Sequence, residues 1–418
     1  MSTTEIVTRS PNVPSKWDII PIHGSDVASY KRCRRYWDWT SPSRNNLRRR
    51  VDIHGVSMPL WFGTGIHFAL EQYYDPILRH DPIESFQTWY QYQWEGGIVG
   101  EEWLERTYDI HPRLHEHTPG DGYPEQMHRI RGLRDILPNI EVVQEEFELH
   151  KELGIGMLTF YKEYAERNDD FVVVAAESTY SIPLGFEAMD IREESPNCGR
   201  KLEVHARGKR DAIIFFPEQD KYGVIDHKTA ARVDEAYFKK LEKDEQCSNY
   251  LWAAKMEALM NGYPWSGGIV DRVVYNVLRK NFPKPPTVLK SGLLSMDRQK
   301  EGTTPDLFKE AILGNDDLEK WFRENEKAQA YYSYLCEMGD SMFIQRDLVT
   351  RNHHEVAATG EHLKMVAKEM LSTPAIYPNP TAEFRCLECA FRNPCIAADD
   401  GSDWQGMLSD GYETNKDR

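Results

Sequence analysis

Apolar positions recur along this chain with two different periods. At Ile66, Leu70, Tyr73 and Tyr74 the spacing is helical, predicting a helix within MPLWFGTGIHFALEQYYDPILRH that starts irregularly and stops or kinks at Pro76. SDVASYKRCRRYWDW predicts a helix from Ser25 to about Asp38, capped by Ser25 or Asp26 and carrying Cys33. Residues 85–170 read mostly as helices, SFQTWYQYQWEGG and GIGMLTFYKEYAERN, around a polar, His-rich stretch at 108–125. The character changes at Phe171. FVVVAAESTYSIPL is short and β-branched and reads as a strand pair or an edge strand. DAIIFF and YGVID, joined by the polar turn PEQDK, form a hairpin signal. ARVDEAYFKKLEKDEQCSNYLWAAKMEALMN follows as helix and GGIVDRVVYNVLRK as strand. Residues 305–372 return to helix, and 376–396 form a Pro/Cys-rich closing segment. Residues 1–20 and the acidic tail after Asp399 read as loose.

The order helix, hairpin, helix, strand predicts a mixed α/β core with a small sheet. The expected divisions are an N-terminal arm and helix (1–55), a core (56–290) with a helical insertion at about 85–170, a helical region (291–375), a cysteine segment (376–398) and a tail (399–418). A hydrophobic content of 40% over 418 residues suffices for a sizeable core, and 28% charged residues is ordinary. No apolar run approaches the ~20 residues of a membrane helix, and MSTTEIVTRSPNVPSKWD lacks the apolar stretch of a secretory signal. A soluble, cytoplasmic protein is expected.

A net charge of −16 argues against broad, nonspecific binding of nucleic acid. Two basic stretches remain: Lys31, Arg32, Arg34 and Arg35, then Arg48, Arg49 and Arg50. Each is either a phosphate grip or a solvated charged face.

The densest local chemistry is Gly208-Lys209-Arg210-Asp211, followed by Asp226-His227-Lys228-Thr229. A hairpin turning at PEQDK sets Asp211 and Asp226 on neighbouring strands near one end, at the border of a buried sheet. Carboxylates there are costly unless they bind a cation, and two hard oxygen ligands suit Mg²⁺ or Mn²⁺. Lys228 shares a strand face with Asp226 and can orient or polarise a water, or neutralise charge on a phosphate. An incidental surface hairpin is the competing reading, since Asp-x-Lys alone arises often by chance.

The seven cysteines are an odd count, which speaks against a disulfide framework. Cys386, Cys389 and Cys395 lie within ten residues and read as metal ligands needing a fourth thiolate from Cys33, Cys198, Cys247 or Cys336. Spacing alone leaves zinc and iron–sulfur open.

The run G-K-R-D … V-I-D-H-K-T resembles the PD-(D/E)XK nuclease superfamily, and within it the RecB-like branch. Gly63-Thr64-Gly65-Ile66-His67 is similar to that branch's metal-binding histidine helix, with Glu71 one turn later. Gln246 and Tyr250 match its Gln-x-x-x-Tyr, and Glu177 loosely matches a strand-opening Glu. Taken singly, His67 reads as an ordinary core or surface histidine, Gln246 and Tyr250 as helix packing, and Glu177 as a surface carboxylate; their order is what carries the resemblance. It implies a restriction-endonuclease-like core in which His67, Asp211, Asp226 and the His227 carbonyl hold Mg²⁺ or Mn²⁺ and Lys228 is catalytic. Gln246 and Tyr250 would contact DNA or support the site. Residue 210 is Arg where many superfamily members carry Pro.

AddB-type nucleases, CRISPR-associated RecB-like exonucleases and phage relatives share one early and three late cysteines. That likeness implies a structural [4Fe–4S] cluster on Cys33, Cys386, Cys389 and Cys395, with Cys198 and Cys247 as ordinary cysteines and Cys336 as a helix-core residue. The function expected is a metal-dependent DNA nuclease, an exonuclease on single strands or ends in recombination, repair or phage DNA processing. Recombination or replication proteins are candidate partners. No Gly-x-x-x-x-Gly-Lys-Ser/Thr occurs, so no ATPase motor is expected. The alternatives are a catalytically silent DNA-binding or scaffold protein, or a zinc-stapled structural protein.

Overall fold

The computed structural model describes residues 14–51, 55–100, 115–116, 127–137, 139–192, 195–263, 265, 268–298, 302–372, 376–379 and 384–415. β1 (Ile20–His23) leads into α1 (Gly24–Arg32), α2 (Arg34–Thr40) and β2 (Leu47–Arg49). α3 (Met58–Tyr74) and α4 (Pro82–Glu95) precede a small sheet of β3 (Gly96–Gly100), β4 (His115–Glu116) and β5 (Met127–Arg131). The short α5 (Leu133–Ile136) opens onto α6 (Ile140–Asn168). Then come β6 (Val172–Met189), β7 (Lys201–Phe216), β8 (Lys221–Ala230), α7 (Glu235–Lys239), α8 (Glu245–Asn261) and β9 (Ile269–Arg279). α9 (Pro305–Ile312), α10 (Asp316–Glu324), α11 (Glu326–Met338), β10 (Ile344–Thr350) and α12 (His353–Ser372) follow. The chain closes with α13 (Phe384–Leu387), α14 (Arg392–Asp400), α15 (Trp404–Gly411) and β11 (Tyr412–Thr414). Among the described residues no helix is long and apolar enough to cross a membrane.

The central sheet runs β1-β7-β8-β9-β10, with β6 also on β7. β6 pairs antiparallel along nearly all of β7 and so occupies one of its edges. The other edge is shared: β1 lies parallel to residues 204–207, and β8 lies antiparallel to residues 212–216. Between them, Gly208 to Asp211 have no strand partner on that edge. β8 meanwhile stays paired with β9 along its whole length, from Lys221 to Ala230. The sheet therefore forks just past Ala212 and Ile225. The 216–221 turn is closed by Asp220 at φ 51°, a left-handed conformation that Asp tolerates.

Helices cover both faces. Val224, Val273, Tyr275 and Val277 pack on one side with Leu251, Ala254 and Ala258 of α8 and Leu363 and Ala367 of α12. The other side is an aromatic core of α3, α4 and α6, including Trp61, Phe62, Phe86, Trp89 and Tyr161.

Several expectations need correction. The helix expected at Ser25–Asp38 is two helices broken at Cys33, whose backbone is extended (φ −164°, ψ 120°), and the cap is His23 with Asp26 accepting from its backbone N–H. Of the two readings of FVVVAAESTYSIPL the edge strand holds and the strand pair does not: it is the body of one long strand, β6, paired to β7, whose register slips between Pro183 and Glu187. The slip is a bulge that accommodates Pro183 and Gly185. Within 305–372, β10 interrupts the helices and extends the sheet antiparallel to β9. The tail is ordered at least through Asn415: α15 packs its Trp404 against Trp39, and β11 pairs with β2.

The basic stretches are largely engaged within the molecule. Lys31 bonds Glu245, Arg34 bonds Glu369, Arg35 bonds Asp399 and Arg48 bonds Glu413. Arg49 and Arg50 donate to the carbonyls of Ala390 and Asp410, and Arg32 lies over the Tyr36 ring. They tie the first 50 residues to the rest of the chain and chiefly to its end. Cys336, expected in a helix core, is exposed on α11.

Candidate active site

The fork in the sheet collects the sequence-predicted carboxylates. Where the β7–β8 ladder stops, the Asp211 side chain takes its place and accepts from the His227 backbone N–H at 2.6 Å. Asp226 is 1% exposed. Its Oδ1 accepts from Lys228 Nζ at 2.8 Å, while its Oδ2 is buried with no hydrogen-bond partner. An orphaned carboxylate oxygen at this depth is costly, and a cation is the partner that relieves the cost. His67 on α3 reaches in from the helical layer, with Nδ1 at 3.4 Å from Asp211 Oδ1.

α3 comes this close because two glycines permit it. A Cβ on Gly63 would meet Thr229 Oγ1 of β8 at 3.3 Å, and one on Gly65 would meet the Trp89 ring at 2.5 Å. The two glycines before His67 are thus spacers, one toward β8 and one toward α4. Glu71, one turn further, is half-buried.

The two carboxylates are electrostatically unequal. Burial pushes Asp211 up, but the His67 ring, its hydrogen bond, His227 and Lys228 outweigh this and hold its carboxyl well below the usual range. Asp226 is lifted by burial to about 6, with Lys228 opposing and the Asp211 charge adding. Burial would lower Lys228, yet Asp226 and Asp211 raise it, so it remains a cation. Lys228 also lies 5.9 Å from the centre of the Tyr275 ring, the residue paired with Asp226 across β8 and β9.

On α8, capped by the Asp244 side chain, Gln246 Nε2 donates to Tyr250 Oη at 2.7 Å. Burial raises the Tyr250 hydroxyl, and the charges of Asp226 and Asp211 raise it further, so it lies within their field. Cys247 between them is fully buried, and burial raises its thiol, as befits an ordinary core cysteine. Glu177 falls on β6, but its side chain lies outside the described residues.

His227 belongs to the opposite face. The residue is 3% exposed, its ring stacks on Tyr74 and bonds Asn276, and burial lowers it to about 3, leaving it neutral. Asn276, Arg346, Tyr161 and Asp169, which gather behind it, carry no local sequence signal. They come from three elements distant in the chain.

At the other end of the molecule Cys33, Cys389 and Cys395 lie near enough that the first and last raise the thiol of Cys389, after burial. The Asn379 N–H donates to Cys33 Sγ at 3.3 Å, and Arg35 Nη1 to Cys395 Sγ at 3.2 Å. Cys389 and Cys395 flank a small aromatic cluster of Trp39, Phe391 and Tyr412. Cys386 is exposed one turn before Cys389, and Cys198 is exposed in a separate turn. Among the described residues no group of three or more His, Cys, Asp or Glu is gathered tightly enough to hold a metal ion as it stands.

A sequence model of the PD-(D/E)XK nuclease superfamily matches residues 24–396, a span that includes both the fork and the four cysteines at 33, 386, 389 and 395. No curated protein matches the chain. Nucleases of this superfamily cleave phosphodiester bonds of DNA, typically with Mg²⁺ or Mn²⁺, and the mixed sheet between helical layers fits their core. The chain belongs to the PD-(D/E)XK nuclease superfamily.

Proposed function

We propose that the protein is a RecB-like deoxyribonuclease acting as an exonuclease on single strands or DNA ends, with its catalytic centre at the fork between β7 and β8. The observation that carries this reading is Asp226 Oδ2, buried without a partner beside a second carboxylate and a lysine. All-oxygen donors plus one imidazole suit a hard divalent ion. Asp226, Asp211, His67 and the His227 carbonyl would hold Mg²⁺ or Mn²⁺, which when bound acts as a Lewis acid toward the phosphodiester and its attacking water.

The chain's own groups have separate tasks. Asp211 would be a ligand of the cation and also fixes the His227 backbone through its N–H, so its carboxylate would couple ligand and scaffold. Lys228, held cationic by two carboxylates, orients the water and neutralises charge growing on the phosphate oxygens. Gln246 and Tyr250, bonded to one another on α8, would contact the DNA backbone or support the site. The resemblance of the cysteine pattern, together with N–H donors aimed at Cys33 and Cys395, supports a [4Fe–4S] cluster on Cys33, Cys386, Cys389 and Cys395. Its role is structural.

The test is cleavage of end-labelled single- and double-stranded DNA with Mg²⁺ or Mn²⁺, beside Asp226→Ala and Lys228→Ala. Wild type is expected to release short products from an end, and each variant to lose at least about 100-fold in kcat. A wild type inert with both metals yet retaining DNA would favour a catalytically silent binding protein. Full activity in Lys228→Ala would overturn the site.

A further inference from the structure

Behind the Asp226-His227-Lys228 strand lies a polar network buried in the helical layer. Alternation along β8 turns His227 away from Asp226 and Lys228, into this network. Asn276 on β9 is fully buried, and its Nδ2 donates to His227 Nδ1 at 2.8 Å and to Tyr161 Oη at 3.1 Å. Its Oδ1 accepts from Arg346 Nε at 2.8 Å, across the β9–β10 pairing that sets the two residues side by side. Arg346 in turn donates to Asp169 Oδ1 at 2.6 Å and to Tyr161 Oη at 3.1 Å. Tyr74 donates to Asp169 Oδ2 at 2.8 Å, and its ring stacks on His227 at 5.4 Å between centroids.

The donors and acceptors fix every orientation. A guanidinium can only donate, so the Asn276 oxygen must face Arg346 and its amide nitrogen must face His227. His227 Nδ1 is therefore an acceptor, and the ring's proton sits on Nε2. His227 is thus held at two points, its ring by Asn276 and Tyr74 and its backbone N–H by Asp211.

We propose that Asn276, oriented by Arg346, is a positioning residue of the nuclease site. It locks the His227 ring as the Nε2–H tautomer and thereby sets the backbone that carries Asp226, the His227 carbonyl and Lys228. Residues that orient metal ligands from behind characteristically change metal affinity as well as rate. α6, which is capped by Asp169, and β10, which carries Arg346, become parts of the site although they lie outside its hairpin. This inference rests on the metal-site reading given above.

Three measurements test it. Mn²⁺ affinity of the folded protein is expected to fall about 10- to 100-fold in Asn276→Leu, which fills the space and removes both bonds. kcat on DNA should fall in step, with KM nearly unchanged. Asn276→Asp, whose carboxylate can accept from both Arg346 and a His227 proton moved to Nδ1, should stay close to wild type in both. A merely structural role would lower thermal stability and leave Mn²⁺ affinity and kcat alone. Should Asn276→Leu fail to fold, Arg346→Lys, which keeps a cation beside Asp169 but loses the guanidinium fork, must weaken Mn²⁺ in the same direction. Folded variants binding Mn²⁺ as tightly as wild type would overturn the proposal while leaving the nuclease reading intact. A wild type that binds no Mn²⁺ defeats the metal site instead. Imidazole ¹⁵N spectra then judge the lock alone: Nε2–H in wild type and Nδ1–H in Asn276→Asp support it, and a mixture of tautomers in wild type overturns it.

Discussion

Asp226 is a carboxylate whose ionisation the fold opposes. Burial raises its carboxyl from the ordinary aspartate range to about 6. An acid whose folded pKa exceeds its unfolded one contributes stability below the unfolded value, and that contribution is lost as pH rises through the folded value. Without divalent metal, the protein should lose on the order of 2–3 kcal/mol from this group between about pH 4 and pH 7. Asp226→Asn should flatten that slope, and urea titrations of both proteins at several pH values read it directly. A cation bound to ionised Asp226 reverses the penalty, so Mn²⁺ should raise the wild-type melting temperature more at about pH 8 than at about pH 5. Equal Mn²⁺ stabilisation at both pH values would exclude Asp226 as a ligand. This centre was legible because Asp211, Asp226 and Lys228 sit on one hairpin, where strand alternation and turn chemistry are local. Asn276 and Arg346 were not, because a buried amide and a buried guanidinium gain meaning only once β9 and β10 are neighbours.

Among elements, α3 shows how a spacing motif becomes geometry. Gly65 stands against Trp89 and Phe86, and Gly154 of α6 also stands against the Phe86 ring, where a Cβ would come within 2.2 Å. Both rings are fully buried, with Phe86 and Trp89 at 0% exposure, so neither can swing aside into solvent. Alanine normally gains about 1 kcal/mol over glycine inside a helix, but overpacking here costs about 1–3 kcal/mol or more. Gly65→Ala is therefore expected to destabilise the protein and, by pushing α3 off α4, to move His67 relative to Asp211. Denaturation together with Mn²⁺ affinity checks both effects; a gain in stability would show that the layer is looser than the contacts imply. The helices and the hairpin followed from periodicity. β10 did not, since IQRDLVT alternates weakly and sits at the sheet's edge with Leu348 exposed. β6 looked divided because Pro183 and Gly185 are break signals that a bulge absorbs.

At the scale of the whole molecule, residues 33–50 are brought against residues 386–414, and several forces hold them. β2 and β11 share only three residue pairs, and Arg35–Asp399 and Arg48–Glu413 are partly exposed. Ion pairs of that kind contribute at most about 1 kcal/mol each. The aromatic cluster of Trp39, Phe391 and Tyr412 is small beside the two main cores. A cluster joining Cys33 to Cys386, Cys389 and Cys395 would close a loop of most of the chain, for which the chain-entropy model gives roughly 5 kcal/mol in addition to these contacts. The net charge of −16 sharpens the point, since the basic residues near position 35 and position 48 are engaged in this closure rather than left facing DNA. Protein purified without oxygen is accordingly expected to be brown and to carry iron and sulfide in equal amounts. Cys389→Ser should lose the iron, melt at lower temperature and become protease-sensitive in residues 384–415 before the central sheet is cut. A colourless protein containing zinc would keep the closure but remove the iron–sulfur assignment. Cys389→Ser protein as stable and protease-resistant as wild type would show that the aromatic and ionic contacts suffice to dock the termini.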